Sequence, residues 1–290
     1  MARVLQHVRV PVPGRHLLGL LSSTPSKPPS PRIVVYFHGF PDLSVHPDES
    51  APPDFESRFP RKLQELLPFD LLCVNFSGLP GSDADVPYRD KCLSREVEDA
   101  DGIITFCEQV LGKRHVHIVG LSTGAILAAL LRNHSQHASL RSISVVAGIA
   151  NTNEGVHFDF SANQQAACRA TGHCLTPFFW PKNWPIPEDA TDFDETTRKL
   201  MRPLDRRYLD DMVQLDIPCS VADGRVPLLV IHGDQDKNIP WQQGHALVQA
   251  AAEPKRWVLI KGANHLLTNT KHMKKGAAEI HAHILASEDA

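Results

Sequence analysis

Short apolar runs recur along the chain at Ile33–Phe37, Leu71–Val74, Val116–Val119, Ile143–Val146, Leu228–Ile231 and Trp257–Ile260. Most are continuous rather than alternating, which is the pattern of strands buried on both faces of a parallel sheet. Between them lie stretches whose apolar residues return at helical spacing: Phe59–Leu67, Val97–Leu111, Thr123–Leu131, Trp241–Ala251 and His272–Leu285. Strand and helix alternate through most of the chain, and this predicts a doubly wound α/β sheet. The opening differs. Met1–Val10 alternates apolar and polar residues, and Val4–Val10 and His16–Leu21 bracket the turn signal Pro11–Gly14, which predicts an antiparallel hairpin at the N-terminal edge of the sheet. A Pro/Ser-rich loop, Ser22–Pro31, follows. From Asn151 to Asp223 the rhythm breaks: Pro, Asp and aromatic residues accumulate, no buried strand is evident, and helix candidates are weak around Phe160–Ala170 and Thr196–Leu215. The expected division is a core of residues 1–150 and 224–290, with 151–223 inserted over the sheet as a lid.

Composition narrows the partners. A chain of 290 residues with 42% hydrophobic content is long enough for one large core. Thirty basic and 33 acidic residues are interspersed for a net charge of -3, without the basic stripe or acidic tail that would point to nucleic acid or an anionic membrane. No segment reaches the roughly 18 apolar residues of a membrane helix, and the start does not read as a signal peptide. The six cysteines are too sparse for a disulfide scaffold, so reduced thiols and a cytoplasmic location are expected, although Cys168 and Cys174 are close enough in sequence to bridge in a loop. The sixteen histidines are scattered, with neither H-E-x-x-H nor a Cys/His cluster, so no metal and no organic cofactor is expected.

The chemistry concentrates at Gly120-Leu121-Ser122-Thr123-Gly124, set between an apolar run and a helical one. In a strand, sharp turn and helix of this kind the serine is strained and exposed above the strand end, and the flanking glycines are required because a Cβ would not fit. A serine hydroxyl is a poor nucleophile at neutral pH and needs a base, which in turn needs a group that orients it. The run Leu228–Ile231 is followed by His232-Gly233-Asp234-Gln235-Asp236, and Trp257–Ile260 is followed by Lys261-Gly262-Ala263-Asn264-His265. An aspartate and His265 thus leave the ends of the last two strands, on the rim where Ser122 would stand. His38-Gly39-Phe40-Pro41 follows another strand. Two backbone N–H groups beside the turn, those of Phe40 and Leu121, are expected to hold a tetrahedral oxyanion, with His38 buttressing the loop.

These landmarks, in this order, resemble those of the α/β-hydrolase superfamily over nearly the whole chain. The resemblance implies the α/β-hydrolase fold: a mostly parallel sheet of about eight strands, the N-terminal hairpin and a small lid. In the family pattern the catalytic acid is the second carboxylate after the strand, here Asp236, with Asp234 the alternative. Asn75-Phe76-Ser77-Gly78-Leu79-Pro80-Gly81-Ser82 and Arg206-Arg207-Tyr208-Leu209-Asp210-Asp211 are similar to segments of cinnamoyl/feruloyl-esterase-like hydrolases of the serine aminopeptidase S33 type. Pro80 and Thr123 depart from the residues usual there, which bears on substrate more than on chemistry.

The expectation is therefore a serine hydrolase with a Ser122–His265–Asp236 triad, most simply a carboxylesterase for a small or medium acyl or aryl ester. Amide, thioester and monoacylglycerol cleavage stay open, as does a silent relative that binds a small molecule without turnover. Phe158, Phe178, Phe179 and Trp180, with Phe160 and Trp184 nearby, are candidates to line the substrate pocket or to anchor the insertion on the sheet. His232, Lys237 and Lys261 read as structural or solvated groups, and the sequence leaves the oligomeric state open.

Overall fold

The computed structural model describes residues 3–25, 28–133 and 137–288. Residues 1 and 2 of the expected first strand, and 26 and 27 of the Pro/Ser-rich loop, lie outside them. In chain order the elements are β1 (Val4–Val12), β2 (Arg15–Ser23), β3 (Arg32–Phe37), α1 (Arg58–Leu66), β4 (Asp70–Asn75), α2 (Leu93–Gln109), β5 (His115–Leu121), α3 (Thr123–Leu130) and β6 (Leu140–Val146). Then come α4 (Thr152–Asp159), α5 (Ala162–Thr171), β7 (His173–Phe179), β8 (Thr191–Asp194), β9 (Lys199–Asp205), α6 (Arg207–Met212) and α7 (Ile217–Asp223). The chain closes with β10 (Leu228–Gly233), α8 (Trp241–Ala250), β11 (Lys255–Ile260) and α9 (Thr270–Glu288).

Eight strands form one sheet in the order β1-β2-β4-β3-β5-β6-β10-β11. The β1/β2 hairpin and the β2/β4 pair are antiparallel and every other pair is parallel. Gly14, at φ +72°, makes the hairpin turn. The continuous apolar runs have the cause inferred for them: all six residues of β4 and of β10 are buried, because helices cover both faces. On one face α2, α3 and α8 pack Ile103, Ile104, Leu127 and Leu247 against the sheet. On the other, α1 and α9 supply Phe59, Leu63, Met273, Ile280 and Ile284. Every residue of α3 is buried, which explains why its sequence is apolar all round.

Residues 151–223 differ from the sequence expectation. They hold a three-stranded antiparallel sheet, β7-β9-β8, where no strand was evident. The helix candidate at Phe160–Ala170 corresponds to α5, which opens on a Ser161/Gln164 capping box and ends at Gly172 in the left-handed region. The candidate at Thr196–Leu215 is β9 followed by the short α6. Strand β7 alternates buried Cys174, Thr176 and Phe178 with exposed Leu175 and Phe179, so its period is two, but Pro177 and the flanking polar residues masked it. Cys168 and Cys174 are both buried and unbridged. Among the described residues no helix is long and apolar enough to cross a membrane.

Candidate active site

Ser122 joins the last residue of β5 to the first of α3 with φ 55° and ψ -118°, a conformation costly for a residue with a Cβ. Both flanking glycines are demanded by contact. A Cβ at Gly120 would lie 2.2 Å from Gly124 O, and one at Gly124 would lie 2.2 Å from Phe37 O. The serine therefore stands at the C-terminal rim of the sheet, beside the loops that follow β3, β10 and β11.

Those loops bring the expected side chains together. Ser122 Oγ is 3.0 Å from His265 Nε2, and His265 Nδ1 is 2.8 Å from Asp236 Oδ2. The Asp236 carboxylate is fully buried. Its Oδ1 accepts from the backbone N–H groups of Asn238 and Ile239, each at 2.9 Å, and its Oδ2 also lies 3.1 Å from Nε2 of the buried His232. Burial alone would raise the Asp236 pKa, but the bonds from His232 and His265, the attraction of His265 and the Ile239 N–H outweigh it and hold the carboxyl well below its usual range. Asp234 is engaged elsewhere, accepting from Gly262 N at 2.6 Å. It is Asp236, then, that faces the imidazole.

The loop after β3 lies against the serine: a Cβ on Gly39, the residue before Phe40, would be 3.0 Å from Ser122 Cβ and 3.6 Å from its Oγ. His38 supports this loop. Its Nδ1 donates to Gly39 O at 2.9 Å, and Phe76 N donates to its Nε2 at 3.4 Å. Burial, with the nearby Lys91 charge, pushes the His38 pKa down to about 3 against the effect of the Gly39 bond. Behind the loop, Lys91 pairs with Glu96 out of solvent, and burial brings the Lys91 pKa down to about 7.

Leu121 requires correction as a second oxyanion donor. It precedes the serine and is the last residue of β5, in register with Val146. Ser122 N donates to Val146 O at 3.0 Å on the β6 side, so by alternation the Leu121 amide faces β3 within the ladder. The amide that follows the serine is that of Thr123, first residue of α3, where a helix has no acceptor of its own to offer. Chain order alone carried that signal.

Of the four pocket candidates only Phe158 reaches the serine. With Ser122, Thr123, Ile126, Ile149, Gly155, Asp159 and Ile239 it lines a narrow crevice that in this conformation has no room for a water molecule. Phe178, Phe179 and Trp180 do not line it, because the alternation of β7 decides where they go. Phe178 is fully buried against Tyr88, at 5.8 Å between ring centres, and Trp180, at 5.5 Å. Trp180 is itself buried and donates its indole N–H to Pro185 O at 3.0 Å, while Phe179 is 68% exposed on the outer side. Phe160 packs against Phe40, tilted at 6.0 Å between ring centres, and edge-on against Tyr208 at 5.9 Å, and does not line the crevice. Asp159 went unnoticed in the sequence. It is a carboxyl between two phenylalanines at the end of α4, and burial raises its pKa to about 6, opposed by the attraction of His265. Only burial distinguishes it from the many solvated aspartates around it. On the solvent side His265 borders an open depression formed by Gln235, Lys237, Asn238, Asn264 and Leu266. Among the described residues no group of three or more His, Cys, Asp or Glu side chains is arranged to hold a metal ion.

The model of the Alpha/beta hydrolase family matches residues 34–277. An uncharacterized protein of Escherichia coli K12, YfhR, is 49% identical over 41 residues, 14% of this chain and 14% of its own length. An uncharacterized protein of Mycobacterium tuberculosis is 40% identical over 63 residues, 22% of this chain and 21% of its own. Each match thus spans less than a quarter of the relative. Among solved structures, Est1E from Butyrivibrio proteoclasticus superposes with a TM-score of 0.68 at 17% identity, covering 98% of this chain and 99% of its own. A structure of Est1E is described as having ferulic acid bound. A putative hydrolase from Agrobacterium vitis S4 superposes with a TM-score of 0.68 at 15% identity, covering 98% and 100%. At such identities these likenesses speak for the fold.

Proposed function

The chain belongs to the Alpha/beta hydrolase family, and from that premise we propose that it is a serine hydrolase that cleaves small or medium carboxylic esters through an acyl-enzyme on Ser122. The observation that carries this reading is the unbroken hydrogen-bonded line from Ser122 Oγ through His265 to the buried Asp236. In this reading His265 Nε2 takes the Ser122 proton as Oγ attacks the ester carbonyl, and Asp236 holds Nδ1–H in place and stabilises the imidazolium. The tetrahedral oxyanion rests on the amides of Phe40 and Thr123, each such donor contributing about 3 to 4 kcal/mol in the transition state. Collapse expels the alcohol, which takes the proton from His265. Water, deprotonated by the same imidazole, then attacks the acyl-enzyme and releases the acid. Residues 151–223 act as a cap: α4 brings Phe158 and Asp159 beside the serine, along a crevice that must widen to take the acyl group.

Mass spectrometry after treatment with a fluorophosphonate probe tests the reading. A single adduct on Ser122, absent from Ser122→Ala, is expected, together with a loss of roughly a million-fold in ester turnover in that variant. No adduct on a folded protein, or turnover that survives the substitution, would move the weight to a binding protein without catalysis.

A further inference from the structure

Asp236 receives two imidazoles on one oxygen, and only one of them belongs to the proposed triad. His232, the fifth residue of β10, is fully buried. Its Nε2 lies 3.1 Å from Asp236 Oδ2 and 3.0 Å from Ile239 O. A carbonyl oxygen only accepts, so the proton sits on Nε2 and is directed at Ile239 O, with Asp236 Oδ2 3.1 Å from the same nitrogen. The other ring nitrogen is closed off. His232 Nδ1 has no hydrogen-bond partner and packs against Gly244 of α8, where a Cβ would stand 2.5 Å away. The ring can therefore present a donor to Asp236 from one side only, and the backbone of α8 prevents it from backing away.

The consequence lies in how the carboxylate is held. Oδ1 takes the amides of Asn238 and Ile239, and Oδ2 takes His232 and His265. Without His232, Oδ2 would answer to His265 alone, and only the two amides on Oδ1 would resist rotation of the carboxylate about its last bond. The same donor withdraws negative charge from the oxygen on which the His265 proton depends. A carboxylate so relieved holds an imidazolium proton less tightly, which favours its release to the leaving alcohol.

Resting on the serine hydrolase reading, we propose that His232 is a positioning residue for the reaction: its Nε2–H fixes and tempers Asp236 so that His265 is aimed at Ser122 and gives up its proton readily. The titratable groups that bear on this unit are Asp236, His265 and, from α4, Asp159, which feels the charge of His265. Against His232 itself α8 presents Gly244, behind which stands Trp257 of β11.

His232→Leu removes the donor at nearly constant volume, and His232→Gln restores an N–H at a similar reach. For hydrolysis of p-nitrophenyl acetate, kcat of His232→Leu should fall tenfold or more, as for loss of a hydrogen bond to a charged group, with KM within about twofold. The acid limb of its kcat/KM profile should move to higher pH by roughly half a unit or more, because a more basic Asp236 binds the imidazolium proton more firmly. The glutamine variant should recover most of kcat and the parental limb. A merely structural role predicts lowered thermal stability with kcat per fluorophosphonate-labelled site and the acid limb unchanged, and that result overturns the proposal. If the leucine variant does not fold, nitrogen NMR of the parent and of Asp236→Asn decides: a His232 Nε2–H whose shift changes in Asp236→Asn upholds the arrangement, and an unchanged shift or a proton on Nδ1 sinks it. Failure of the parent to label at Ser122 would instead refute the hydrolase reading, so the two failures are distinct.

Discussion

A carboxyl group behaves according to what surrounds it, and the site contains two opposite cases. Asp236 is buried but accepts three hydrogen bonds and has His232 Nε2 3.1 Å from Oδ2, so its charge is favoured. Asp159 is drawn from water among Phe158, Ile149 and Ile126 with only the attraction of His265 against its burial, so its proton is held to about pH 6. An unfolded aspartate loses that proton near pH 4. Between about pH 4 and 6 the folded state therefore binds more protons than the unfolded one, and stability contributed by this group declines as pH rises through that window. Asp159→Asn removes the slope. Urea unfolding should show the variant more stable than the parent at pH 7 and equal to it at pH 4; an equal difference at both values would mean that the carboxyl titrates as it does in water.

At the scale of the element, β7 shows how one residue of register separates two neighbouring aromatics. Phe178 points into the core shared with Tyr88 and Trp180, and Phe179 points to solvent. Phe178→Ala should cost about 3 to 5 kcal/mol in denaturant unfolding, whereas Phe179→Ser should change stability by less than about 0.5 kcal/mol and leave ester turnover unaltered. The strand escaped the sequence reading because four residues of alternation, interrupted by Pro177, are a weak signal beside the aromatic cluster they contain. The turn at Ser122 was legible for the converse reason. Two glycines whose Cβ atoms would collide with backbone leave no other local structure open to them.

Across the whole molecule, residues 151–223 are joined to the core by polar as well as apolar contacts. Arg202 of β9 lies over the Tyr88 ring, 4.5 Å from its centre, and over that of Trp180 at 5.6 Å, and it forms a two-pronged pair with Asp189 at 3.0 and 3.1 Å. Tyr88 belongs to the segment between β4 and α2, so a single guanidinium spans the small sheet and the core. Its removal in Arg202→Leu should lower the thermal midpoint, by an amount corresponding to about 2 kcal/mol, given the desolvated cation–π contact and the partly exposed partner carboxylate. Fluorophosphonate labelling of Ser122 at room temperature should persist, since the elbow is built from β5 and α3. Loss of labelling in a folded variant would show that the small sheet also holds the site in place.

The elements of the core, their alternation, the hairpin and the candidates Ser122 and His265 were determined by local sequence, because period, turn chemistry and glycine contacts act within a few residues. The order of strands in the sheet came within reach of sequence only through family resemblance, since parallel pairs join segments tens of residues apart. Which carboxylate meets His265, which amide stands free beside the serine, and which aromatic lines the crevice were decided by the tertiary structure. Those outcomes depend on distances between groups brought together from different strands and on their removal from water, and neither is encoded in the spacing along the chain. His232 belongs to both accounts: its place next to Gly233 is plain in the sequence, but its hold on Asp236 exists only once β10 and α8 are packed.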